Sequence, residues 1–157
     1  MKFIRSKIDS FLQWFCLIIV SAMSILVLYQ VITRYIFNAP SNISEVVARS
    51  LFVWLTMFGG AFVFGRREHM NIEFIRSKFP PKIKICIEMF SELVIAVFAV
   101  LVMIIGGFWQ ASNQMIQVES MTQIPMGYIY SAIPISGILI LFYFACNTYD
   151  LYRKLKD

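Results

Sequence analysis

Charge is scarce in this sequence. Only 15% of its 157 residues are charged while 59% are hydrophobic, and the mean hydropathy is +0.73. A soluble fold of this size covers its surface with far more charge, so that class is excluded. Histidine is nearly absent, with His69 alone. Haem ligation by paired histidines, a zinc site and a Ser-His-Asp arrangement therefore lack ligands or partners. Cys16, Cys86 and Cys146 all fall in apolar stretches. Their spacing suits neither a disulfide framework nor a metal site, and they read as small packing residues. A phosphate-binding Gly loop, an internal repeat and a low-complexity tract are all missing. No acidic residue stands mid-span, where a self-sufficient proton-coupled transporter would carry one. Neither cofactor nor metal is expected, and the chain does not read as an enzyme.

What is there is four long apolar stretches, roughly Phe11–Thr33, Ile43–Phe64, Ile85–Phe108 and Tyr128–Tyr149. Each reaches the ~20 residues that cross ~30 Å of hydrocarbon as a helix. In lipid the backbone must satisfy itself within each segment, so the expected fold is an all-α membrane protein with four transmembrane helices in one domain spanning 1–157. The first stretch follows a basic segment but is too long for a signal peptide and has no small-residue cleavage site, so it reads as a retained helix.

Basic residues alternate between the connections. Lys2, Arg5 and Lys7 precede the first span. Arg66, Arg67, Arg76, Lys78, Lys82 and Lys84 lie between the second and third, and Arg153, Lys154 and Lys156 follow the fourth. These are twelve of the 14 Lys and Arg. Positive-inside bias then places both termini and the middle loop in the cytoplasm. Aromatics fit the boundaries, with Trp14, Tyr149 and Tyr152 near the inner interface and Tyr35, Trp109, Tyr128 and Tyr130 near the outer one. The net charge of +5 reports topology and contact with anionic lipid in the bilayer. Nucleic acid is not an expected partner, because the basic residues are split among three short segments.

The connections differ in character. Asn38-Ala39-Pro40-Ser41-Asn42 is short and turn-rich, which predicts an antiparallel hairpin of the first two helices. In the basic loop, Ile72, Ile75 and Phe79 of the stretch Met70–Phe79 recur at helical spacing, which suits a short helix on the inner membrane surface. A solvated basic connector fits as well. Pro80-Pro81 ends this segment. The stretch Trp109–Gly127 is polar, with Glu119 its one charge, and is longer than a usual bundle connection. It could form a partner-binding surface or a passive tether.

Arg34 and Arg49 remain outside the inner pattern. Glu45 and Arg49 are i, i+4 on one helix face, and Arg34 ends the preceding helix at the same level. Arg49 stands about 9 Å along the helix, from the 1.5 Å rise, a depth that favours pairing or snorkelling outward. In the structural reading, Asn42 caps the helix, Glu45 at N3 suits the dipole and Arg49 pairs with Glu45. The other reading is an ion or proton pathway. A site at one edge, without a mid-span acid, favours the structural or interface role. Thr56, Gly59 and Gly60 continue that face, where small residues let helices approach closely. The opposite side carries Leu51, Trp54, Leu55, Phe58 and Phe62, directed to lipid or core aromatics. Glu88 and Glu92 are expected at the start of the third helix, favouring its N-terminus, with Lys82 and Lys84 to neutralise them.

These residues carry a family resemblance. The run Ser41-Asn42-Ile43-Ser44-Glu45-Val46-Val47-Ala48-Arg49-Ser50-Leu51-Phe52-Val53-Trp54-Leu55-Thr56, continuing to Gly59-Gly60-Ala61, resembles the signature of the DctQ-type small membrane subunit of TRAP transporters. Gln30-Val31-Ile32-Thr33-Arg34-Tyr35-Ile36-Phe37 does so before it. Arg66-Arg67-Glu68-His69-Met70-Asn71-Ile72-Glu73 resembles the family's basic, His-containing loop, with Glu73 where Asp is more usual. Ile124-Pro125-Met126-Gly127-Tyr128-Ile129-Tyr130 and Ile133-Pro134-Ile135-Ser136-Gly137 resemble its fourth-helix entry. The resemblance covers nearly the whole chain in the family's order, and in overall character it is nearer the sialic-acid branch than the C4-dicarboxylate branch.

The resemblance implies a tripartite, sodium-driven uptake system for an organic acid in the bacterial inner membrane. A periplasmic substrate-binding protein (DctP-type) captures the acid, and a large membrane subunit (DctM-type) moves it with sodium. The small subunit would extend the static scaffold of the large one and help dock the binding protein. On that expectation Arg34, Glu45 and Arg49 form an interface cluster, and Thr56, Gly59 and Gly60 form the packing face. Ser41, Asn42, Gln117, Glu119 and Gln123 would lie in outer docking loops, and Arg66, Arg67 and His69 in the inner basic loop. Two rivals remain: a stand-alone homo-oligomeric transporter or channel, and a small membrane enzyme or assembly factor.

Overall fold

The computed structural model describes residues 2–66 and 81–156. Helix α1 spans Lys2–Tyr35 and α2 spans Asn42–Gly65. Helix α3, Pro81–Phe98, runs through a π-helical segment, Ala99–Gly106, into α4, Gly107–Asn113. A short α5, Met126–Tyr130, precedes α6, Ala132–Lys156. Among the described residues, four stretches are long and apolar enough to cross a membrane: Ile4–Tyr35, Asn42–Gly65, Met89–Asn113 and Met126–Tyr149. The all-α, four-span architecture expected from hydropathy is therefore the observed one.

The third span differs in placement. Its helix continues through Trp109, Gln110, Ser112 and Asn113, residues that the hydropathy reading assigned to the outer loop. The reason is that the i→i−4 ladder needs no apolar side chains, so a helix outlasts its apolar run at an interface. The helix also starts earlier than expected. Pro81 stands at its first position, where the missing N–H has no intrahelical role. The predicted surface helix at Met70–Phe79 lies outside the described residues.

Successive helices alternate in direction. Asn38, at φ 49°, turns the chain between α1 and α2, a left-handed conformation that Asn tolerates better than most residues. Pairings of 103 with 137 and of 107 with 133 show that the third span runs antiparallel to α6. Lipid supplies no hydrophobic drive between helices, so close packing must hold them together. A Cβ on Gly137 would lie 2.9 Å from the Met103 Cβ, and one on Gly65 would lie 2.5 Å from the Tyr143 ring. Both glycines are what let these backbones and rings meet.

The core is small and off-centre. Leu12, Phe58, Ala61, Phe64, Met103 and Tyr143 are among its buried members. The bulky side of α2 turns inward rather than to lipid. Trp54 and Phe58 stack at 5.3 Å, and Phe15 of α1 meets Phe58 at 5.0 Å. Only 6% of the first span's most apolar window is buried, against 39% for the fourth. Helix α6 is thus the hub and α1 the outrigger.

Candidate functional site

Residues Glu45, Arg49, Phe52, Thr56 and Gly60 recur every three or four positions, so they form one stripe along α2. Arg49 Nη2 donates to Glu45 Oε1 at 3.0 Å, with both side chains about two-thirds exposed at 68% and 66%. In water such a pair contributes about 0.3–0.5 kcal/mol. Arg34 does not join it: its guanidinium lies 6.0 Å from the ring centre of Tyr35. Two of the three expected cluster members are therefore brought together, and the third is held on its own helix.

The cap of α2 also differs from expectation. Ser41, not Asn42, occupies the N-cap in an extended conformation, and no side chain caps the helix. Asn42 is the first helical residue, and Glu45 lies one position further in than N3. Ser44 Oγ donates instead to the Ser41 carbonyl at 2.8 Å. Glu45 is still in the first turn, where its charge suits the dipole.

Further along the stripe, Thr56 Oγ1 donates to the carbonyls of Phe52 at 3.0 Å and Val53 at 2.9 Å. Its hydroxyl is thus satisfied on its own helix. A Cβ on Gly59 or Gly60 would meet nothing within 4 Å. Thr56 and Gly60 are exposed on this face of α2, and none of the described residues lies over Gly59 or Gly60.

The loop between α4 and α5 is built by its own hydrogen bonds. Glu119 N–H donates to the Ile124 carbonyl at 3.0 Å, Gln123 N–H to Glu119 at 2.9 Å and Met126 N–H to Gln117 at 2.8 Å. Gln123 adopts φ 56°, and its side chain donates to the Ser120 carbonyl at 3.0 Å. Gln117 and Gln123 face outward, while Glu119 is half-buried. The sequence reading tracked only polar residues here and missed Ile116, which is 87% exposed.

Beneath this loop lies an open cavity of about 290 Å³. Phe15, Ile19, Leu51, Trp54, Thr122 and Ile124 are among its lining residues, and no lining side chain is ionisable. Ser50 and Thr122 bring the hydroxyls of an otherwise largely apolar lining. Among the described residues, no group of three or more His, Cys, Asp or Glu is placed to hold a metal.

At the opposite end of the bundle lies a polar knot that the sequence reading did not foresee. Tyr143 hydroxyl donates to Asp9 at 2.5 Å, and Arg5 Nη2 donates to the Gly65 carbonyl at 2.5 Å. These bonds tie α1 to α6 and α2. Glu92 and Asn147 are also buried, at 1% and 0% exposure. Glu92 stands about three full turns into α3, so it cannot serve the helix N-terminus as expected. A polar residue inside an apolar run, as at Asn147, was the available signal. Arg66 closes α2 with its guanidinium 5.0 Å from the Phe62 ring centre. Arg67 and His69 lie outside the described residues.

Comparison with known proteins fits this geometry. Residues 23–154 match the family described as tripartite ATP-independent periplasmic transporters, DctQ component. The chain is 30% identical over 141 residues to a Haemophilus influenzae protein named "Putative TRAP transporter small permease protein", covering 89% of this chain and 86% of that one. It is 24% identical over 155 residues to the sialic acid TRAP transporter small permease protein SiaQ of Vibrio cholerae, covering 99% and 89%. It is also 28% identical over 115 residues to the sialic acid TRAP transporter permease protein SiaT of Haemophilus influenzae. That alignment covers 73% of this chain but 18% of the longer protein.

Proposed function

This chain belongs to the DctQ component family of tripartite ATP-independent periplasmic transporters, and we propose that it extends the static scaffold of the large membrane subunit through the outward stripe of α2. It is a small, non-catalytic, multi-pass membrane subunit of a TRAP-family transporter, a system that also involves a large membrane subunit and a periplasmic binding protein. The observation that carries the proposal is the open space over Gly59 and Gly60. Glycine in a helix interior costs about 1 kcal/mol relative to alanine. Two in succession with no neighbour among the described residues invite a close approach from another helix. Glu45 and Arg49 mark the outer end of that face, with Arg34 across the hairpin.

The remaining assignments follow from this. The basic end faces the cytoplasm by positive-inside bias, with both termini inside and the membrane the bacterial inner one. The Ser41-Asn42 turn and the loop carrying Gln117, Glu119 and Gln123 then face the periplasm and help dock the binding protein. The transported solute is an organic acid of the sialic acid or C4-dicarboxylate class, driven by sodium. Two of the similar proteins bear sialic acid in their names, which supports the first class. In SiaT a segment similar to this chain is part of a much longer single chain, which supports a direct partnership with a larger membrane subunit.

Arg49→Ala tests the assignment. The expected result is lower recovery of the large subunit with the tagged small one, and lower uptake in proteoliposomes. Normal recovery and uptake would remove Arg49 from the interface. Solute flux through the purified chain alone would favour the stand-alone transporter instead.

A further inference from the structure

The third membrane span carries the π-helical segment Ala99–Gly106 in its middle. Such segments are rare and run their bonds between residues i and i+5, so each turn takes up more chain than an α turn. The bond from the Gly107 N–H to the Val102 carbonyl is of this type. The residues of this span that face the bundle explain why the segment is there. Glu92, Ala96 and Ala99 are buried before it, and Gly107 and Ala111 after it. On an unbroken α-helix, at about 100° per residue, Gly107 and Ala111 would stand about 80° and 120° round from Ala99. Absorbing one residue in the π segment brings both back to within about 20° of it.

The contacts of that face are close. A Cβ on Gly137 of α6 would lie 3.0 Å from Ile104 Cγ1 and 3.4 Å from the Ala99 carbonyl oxygen, within the segment itself. A Cβ on Gly107 would lie 2.8 Å from Ile133 Cγ2, and one on Gly127 would lie 2.5 Å from the Ala111 carbonyl oxygen. The helix ends two residues after Ala111, and the outer loop is bonded back to that end by the Gly127 N–H, which donates to the Gln114 carbonyl at 3.1 Å. The direction in which the span emerges is therefore the direction of the loop.

We propose that the π segment aims the outer loop: it holds one residue more than an α-helix needs there, and that residue sets the azimuth at which Gln117, Glu119 and Gln123 are presented. That the aim serves docking of the binding protein rests on the function proposed above; the aim itself does not.

Two changes of length at the exposed Leu101 test it. Deleting Leu101 leaves Gly107 seven steps from Ala99 along the new chain, which an α-helix places within about 20°. The outer contacts then survive without the π segment, and Ile104 takes the place of Met103 beside Gly137, which it already adjoins. Inserting one alanine after Leu101 instead turns the outer end by about 100°. On a helix about 10–12 Å across, that carries the side chain at position 109 through about 8–9 Å. Spin labels on Trp109→Cys and Ile43→Cys, both exposed near the outer ends of their spans, report the turn in the full chain reconstituted in bilayers, with Cys16, Cys86 and Cys146 replaced by alanine. The deletion should melt close to the parent and keep its interlabel distance, and the insertion should move it. In proteoliposomes holding the large subunit, the insertion should raise the binding-protein concentration for half-maximal uptake about tenfold, and the deletion should leave it unchanged. A deletion variant that fails to fold or whose distance moves, or an insertion variant that folds with the parent's distance, overturns the proposal. An insertion that moves the distance but not the uptake dependence supports the aiming and removes the docking role instead. Should the insertion variant not fold, the deletion decides alone.

Discussion

Replacing Gly59 and Gly60 by leucine should strengthen the subunit and weaken the complex. In the isolated chain a side chain at either position enters open space, since nothing lies within 4 Å of a Cβ there. Removing a glycine from a helix interior gains about 0.8–1 kcal/mol per site. The double variant should therefore melt no lower than the parent in detergent. In the complex the added branched side chains occupy the space we assign to the large subunit. Overpacking a close interface costs typically 1–3 kcal/mol per site, about 2–6 kcal/mol for the pair. At about 1.4 kcal/mol per tenfold change, the association constant should fall at least about thirtyfold. The assay is recovery of the co-expressed large subunit on the tagged small one, alongside thermal melting of the small subunit alone. A variant that is stable and still recovers a full complement of the large subunit would refute the assignment of this face.

Other substitutions probe the rest of the account. Gly65→Ala should lower the melting temperature of the subunit itself, by about 1–3 kcal/mol of stability, because its methyl would lie 2.5 Å from the fully buried Tyr143 ring. Tyr143→Phe removes the hydroxyl that donates to Asp9 and should cost about 1–3 kcal/mol, read in the same melt; an unchanged melt would show that the polar knot does not hold α1. Glu119→Lys reverses the one charge of the loop between α4 and α5. It should leave recovery of the large subunit intact while raising the binding-protein concentration for half-maximal uptake about three- to tenfold. Unchanged dependence on the binding protein would take this loop out of docking.

Some of this was legible in the sequence and some was not, for identifiable reasons. Four spans were legible because lipid forces each crossing into one continuous apolar helix. The Glu45–Arg49 pair was legible because i, i+4 neighbours meet on any helix. The place of Arg34 was not, since the rotation of α1 against α2 is set by contacts such as Phe15 with Phe58, which no local pattern encodes. Burial of Glu92 followed from where α3 begins, at Pro81 rather than four residues later. The bond from Tyr143 to Asp9 joins residues 134 positions apart, beyond the reach of helical periodicity. The exposure of Ile116 was not legible, since the loop's own hydrogen bonds rather than any periodicity place this apolar residue outward.

The central claim is that the Thr56–Gly60 face of α2 meets the large subunit. A photo-crosslinking residue placed at Thr56 tests it in membranes holding the assembled transporter. Phe90 of α3, also exposed, provides the comparison. The account predicts an adduct between the small and large subunits from position 56, lost when Gly59 and Gly60 are leucine. Adducts that form from position 90 and not from position 56 would contradict it.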